Sequence, residues 1–135
     1  MIRNCKNCKK ELNRHNKLYC NTKCQMEYQY NNYISKWKNG LVNGMRGAYQ
    51  VSLHIRKYLL IKYNNKCCKC GWSKVNKFTN NIPLEIEHKD GNFRNNIESN
   101  LELLCPNCHS LTSTYKGANK NGRKSRSKYY VNIAG

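Results

Sequence analysis

The chain has 135 residues, room for one domain or one domain with a small appendage, which excludes large multi-domain architectures. Its 25 Lys and Arg against 7 Asp and Glu give a formal net charge of +18. That imbalance strains a compact fold unless a polyanion shares the charge, so nucleic acid is the leading partner and an anionic membrane the lesser one. The sequence offers no long apolar run and no basic amphipathic helix of the membrane-surface kind, and the opening MIRNCKNCKKEL has no apolar stretch of a secretory leader. A soluble intracellular protein with no membrane partner is expected.

Hydrophobic residues make up 39% of the chain and Phe occurs twice, so the core is thin and needs staples. Along the chain, residues 1–26 form a first unit around Cys5-x2-Cys8 and Cys20-x3-Cys24, too short to bury a core alone. Residues 27–63 read as a helical linker that contacts DNA. Met26, Tyr30, Tyr33, Ile34 and Trp37 recur at helical spacing, and Gly40, Gly44 and Gly47 interrupt the pattern as a loop or short turn. Ser52 caps a second helix to about Tyr63, with Leu53, Ile55, Leu59 and Leu60 as core candidates.

From Asn64 the composition changes. Five of the seven acids, Glu85, Glu87, Asp90, Glu98 and Glu102, fall within 85–102. Leu84 to His88 alternates like a strand and ends at the turn signal Asp90-Gly91. A second strand fits Asn100–Leu104, and a helix of roughly 106–115 opens on Pro106. Residues 117–135 form a basic tail, and Lys116, Lys120, Arg123, Lys124, Arg126 and Lys128 read as a phosphate-tracking arm against the plainer reading of a solvated tail.

The cysteines divide the chain. A tetrahedral zinc site takes four soft ligands from two short turns, since one C-x2-C presents only two thiolates. Pairing neighbours gives one structural zinc on Cys5, Cys8, Cys20 and Cys24 and a second on Cys67, Cys70, Cys105 and Cys108, with Cys68 left as a free thiol. Redox pairs are the competing reading, which four close pairs in a basic protein do not favour. Eight thiolates and two dications would leave the folded protein at about +14.

The motif Glu87-His88-x-Asp90-Gly91-Asn92, followed by Asn100-Leu-x-Leu-Leu-Cys105-Pro-Asn-Cys108-His109, resembles the HNH endonucleases with a ββα-metal fold. More narrowly, the chain is similar to small free-standing HNH proteins of phages and bacteria that carry an additional N-terminal cysteine knuckle. The CGW segment and CHSLT-x-TYKG belong to that narrower likeness. The resemblance covers residues 64–116 and implies an α+β fold, an HNH nuclease domain stapled by the second zinc, in the cytoplasm of a bacterial or phage-infected cell.

It further implies that His88 is the general base for phosphodiester hydrolysis, a neutral imidazole being able to take a proton from water. Asn100, the central asparagine, holds the loop that carries His88. His109 and Glu87 are ligands of a catalytic divalent metal, the hard carboxylate favouring Mg²⁺ or Mn²⁺ over zinc. Glu85 or Asp90 are alternatives to Glu87, and His109 has the competing reading of a zinc ligand. Ser113 stands where some members carry another histidine, so two protein ligands are expected. Lys89 and Arg94 are candidate phosphate contacts. Expected products carry 5′-phosphate and 3′-hydroxyl ends, from double-stranded DNA that is nicked or cut. The alternative function is a zinc-containing DNA-binding module without catalysis.

Overall fold

The structure is a computed structural model that describes residues 1–116, so the expectations for residues 117–135, including Lys120, Arg123, Lys124, Arg126 and Lys128, lie outside the described residues. The chain divides into two compact units, Met1–Val42 and the part from Asn43 onward. Among the described residues no helix is long and apolar enough to cross a membrane.

In the first unit a short loop folds back on itself through the bridge between Asn4 and Glu11 and places Cys5 and Cys8 on a turn. Helix α1, Thr22–Lys38, starts four residues earlier than the apolar spacing predicts. Asn21 is extended and its side chain accepts from the Cys24 N–H at 2.8 Å, so the cap sits inside the cysteine unit. Knuckle and helix are therefore one continuous structure. Ile34 and Trp37 are buried as expected, whereas Met26 is 62% exposed. The helix ends in a Schellman motif: Gly40 at φ +71° donates to Trp37 O, and the Leu41 N–H donates to Lys36 O.

In the second unit the expected glycine loop contains a two-residue ladder, β1 (Met45–Arg46) against β2 (Gln50–Val51), antiparallel. Helix α2, Leu53–Lys62, has Ser52 as its N-cap, the hydroxyl accepting from the His54 N–H at 3.1 Å. Ile55 and Leu59, four apart, are fully buried, while Leu53 is 58% exposed on the other face. Asn64 and Asn65 terminate α2 in the left-handed region, the Asn65 N–H reaching Leu60 O.

Strand β3 (Glu85–His88) pairs antiparallel with β4 (Leu101–Leu104), Glu87 opposite Glu102 and His88 opposite Leu101. The second strand begins one residue later than expected because Asn100 closes a 3₁₀ turn over Glu98–Asn100. Helix α3, Pro106–Ser110, is half the expected length and Leu111 caps it. Leu84, Leu103 and Leu104 form a buried cluster with Cys67 and Cys105, flanked by Leu60, Tyr63 and Trp72. This core is thin, and much of its wall is cysteine, which makes the thiol clusters part of the hydrophobic packing.

Candidate metal and active centre

Both cysteine tetrads are assembled. Within Cys5, Cys8, Cys20 and Cys24, and within Cys67, Cys70, Cys105 and Cys108, the sulfur atoms lie within 4.8 Å of one another. Neighbouring sulfurs are 3.7 Å (Cys8–Cys20), 3.5 Å (Cys20–Cys24) and 3.6 Å (Cys70–Cys105) apart. Tetrahedral Zn–S bonds of about 2.3 Å set sulfurs roughly 3.8 Å apart, so both tetrads have the size of a zinc site. None of the nine cysteines is in a disulfide.

The protonation behaviour fits a bound dication. Burial opposes ionisation of Cys5, but N–H groups of Cys8, Cys20 and Asn7 outweigh it and bring the thiol down to about 6. Cys67 is likewise brought down to about 6, against burial, by the N–H groups of Cys105, Cys70 and Lys69. Cys20 is pushed up to about 12, first by its hydrogen bond to Cys24 and then by burial, and Cys108 to about 12, first by Cys105 and then by Cys70. One thiolate per tetrad thus forms readily, and Cys20 and Cys108 need a cation beside them before they give up their protons. Cys68 stands outside the tetrad, 3.8 Å from the Glu102 carboxylate, and its thiol is pushed up by burial and by that negative neighbour.

The second tetrad positions the strands and α3. The Cys68 N–H donates to Leu103 O at 2.9 Å, tying the knuckle to β4. Cys105 is the N-cap of α3, its sulfur accepting from the Cys108 N–H, and Pro106 follows at the first helical turn. His109 follows Cys108 on that helix. Residues two apart on a strand share a face, so Glu85 and Glu87 both look toward α3. His109 Nδ1 lies 2.7 Å from Glu87 Oε2, and Nε2 lies 3.1 Å from Glu85 Oε2.

Glu87 is 6% exposed, and the Thr114 hydroxyl donates to its other oxygen. Although close to Glu87, His109 Nδ1 is buried with no properly directed hydrogen bond. A nitrogen lone pair and a carboxylate oxygen that converge without bonding each other have the donor set of a shared hard cation. Glu102, directly opposite Glu87, adds a third carboxylate to this face and is paired with Lys69 at 3.5 Å. His109 faces these carboxylates and not the cysteine tetrad, which is complete without it.

His88 ends β3 half-buried, its Nε2 2.7 Å from Asn96 Oδ1. The loop after it is held from within. Asn100 donates from Nδ2 to Asp90 Oδ1 (2.9 Å) and to Asn95 O (2.8 Å), and its Oδ1 accepts from the Asp90 N–H (3.1 Å). Asp90 also accepts from the Asn92 N–H and the Asn95 amide, so its carboxylate is engaged by the loop. Those donors, the Asn95 amide foremost, hold the Asp90 carboxyl below the usual carboxylate range against opposing burial.

Lys89 and Arg94 are exposed on the same loop, the Arg94 guanidinium 5.2 Å from the Phe93 ring centroid. Lys116, last of the described residues, is exposed beside Tyr115. Sequence reasoning missed Thr114 and Asn96. Thr114 lay inside the expected helix, and Asn96 is one of many asparagines with no local pattern to mark it.

No family model matches the chain, and no solved structure does. The chain is 54% identical over 55 residues to the H-N-H endonuclease F-TflIV of Escherichia phage T5. The match takes in 41% of this chain and 23% of the phage protein, so it spans less than a quarter of that relative's length. Over that stretch, the chain is similar to an H-N-H endonuclease.

Proposed function

We propose that the chain is a metal-dependent HNH endonuclease that hydrolyses phosphodiester bonds of double-stranded DNA, with β3, β4 and α3 as its ββα-metal core and two structural zinc ions. The observation that carries this reading is the convergence of Glu87 Oε2 and unbonded His109 Nδ1 beside His88 at the end of β3. A pure binding module has no use for an orphaned imidazole nitrogen aimed at a buried carboxylate next to a base. The phage relative, an H-N-H endonuclease, supports the same direction.

In this mechanism, Glu87 and His109 would hold Mg²⁺ or Mn²⁺, which would supply positive charge against the negative charge that develops during hydrolysis. His88 accepts a proton from the attacking water, a task suited to a neutral imidazole. Asn100 keeps the loop behind His88 in one conformation through its three hydrogen bonds. Thr114 holds the Glu87 carboxylate in place. Lys89 and Arg94, exposed on that loop, reach the DNA backbone, and the overall charge of +18 supplies the salt-dependent attraction. Hydrolysis in this sense leaves 5′-phosphate and 3′-hydroxyl ends.

The test is end analysis of DNA cut by zinc-loaded full-length protein, with Mg²⁺ or Mn²⁺ and with neither. The expected products are resealed by a ligase, require the added metal, and disappear with Glu87→Ala and with His109→Ala while both variants keep their two zinc ions. Metal-independent cleavage, or full activity in both variants, would refute the assignment.

A further inference from the structure

We infer that Asn96 is a positioning residue that sets the tautomer and aim of His88, an inference that rests on the nuclease reading above. Asn96 is 4% exposed, and its amide is held at both ends. Its Nδ2 donates to Asn43 O at 3.2 Å and to Met45 Sδ at 2.9 Å, both next to Gly44 at the entry to the β1–β2 hairpin. Exchanging the amide oxygen and nitrogen would set the oxygen against two acceptors, so the orientation is fixed by chemistry. The oxygen therefore faces His88, and an amide oxygen can only accept. His88 Nε2, 2.7 Å away, must carry the proton, which makes Nδ1 the nitrogen with the free lone pair.

The backbone at Asn96 is fixed as well. Its neighbour Asn95 is bonded to Asp90 through its amide and to Asn100 through its carbonyl. On the other side, a Cβ at Gly44 would stand 2.8 Å from the Asn96 Cβ and 2.8 Å from Ile55 Cδ1, so the hairpin backs directly onto the asparagine. The same hairpin also sets Tyr49 against Phe93, ring centroids 5.8 Å apart. It serves as the wall that holds Asn96, as Asn96 holds His88.

Two measurements on zinc-loaded full-length protein test this. Long-range ¹H–¹⁵N spectra report the neutral tautomer of His88 without any need for activity. The expected result is Nε2–H in the wild type and a tautomer mixture in Asn96→Leu. In steady-state cleavage, Asn96→Leu is expected to lower kcat by about 10²-fold, the scale of a misaimed catalytic group, with KM for DNA unchanged. An Nδ1–H tautomer in a wild-type protein that cuts DNA would overturn the role of Asn96 and leave the nuclease reading standing. So would an Asn96→Leu variant whose kcat and tautomer match the wild type. A wild type that binds but never cuts DNA, whatever its tautomer, would overturn both. Should Asn96→Leu fail to fold, the wild-type tautomer alone still decides.

Discussion

Among single residues, Asp90 illustrates how the neighbours of a motif position shape what it does. Its acidity made it an alternative metal ligand, yet its carboxylate accepts from Asn92, Asn95 and Asn100 and serves the loop. A carboxyl held below its ordinary value stabilises the fold fully above the unfolded pKa, about 4, and loses that contribution as pH falls through the lower folded value. Asp90→Ala should therefore destabilise by about 1–3 kcal/mol at neutral pH, by leaving the Asn92, Asn95 and Asn100 donors unmet. Thermal melts of both proteins should show the gap closing below about pH 4; a gap that is constant with pH would contradict this. His88, Asn100 and the two tetrads were legible because spacing and motif order mark them. Asn96 and Thr114 were not, because their significance comes only from what the fold brings beside them.

At the scale of elements, caps outperform periodicity as a guide. The Ser52 cap gave the start of α2 correctly, whereas the apolar spacing placed the start of α1 at Met26 and so hid the Asn21 cap within the cysteine unit. Substituting Ala at Ser52 should cost about 1 kcal/mol, measurable by denaturant titration. The β1–β2 hairpin was invisible because two-residue strands carry no alternation, and three glycines read as a loop. Gly44 has φ +74° and no room for a methyl group against Asn96. Gly44→Ala should cost at least about 1–2 kcal/mol from backbone strain alone and, by pushing on Asn96, also lower cleavage; wild-type stability would contradict the tight approach. The short α3 follows from its packing: only the turn carrying Cys108 and His109 is tied to the tetrad, and Thr112 to Lys116 leave the helix to bring Thr114 to Glu87.

For the whole molecule, the opening charge excess points to the proposed partner and the acidic stretch to the proposed chemistry, but neither revealed that the chain forms two units with a cysteine tetrad each. Zinc analysis should return two ions per chain, one in Cys20→Ser or Cys108→Ser, and none in the double variant. Hydrogen exchange should show Cys20→Ser exposing α1 amides while the β3–β4 ladder stays protected, and Cys108→Ser doing the reverse, since each tetrad contributes folding free energy to its own unit. The central claim is that His88 makes a DNA-binding protein an enzyme. The most direct measurement is supercoiled plasmid incubated with Mg²⁺ and either the wild type or His88→Ala, followed by cleavage and by gel retardation. The wild type should nick the plasmid, and His88→Ala should retard it equally while cutting about 10²–10⁴-fold more slowly. Equal retardation with no cutting by either protein, or equal cutting by both, would contradict the account.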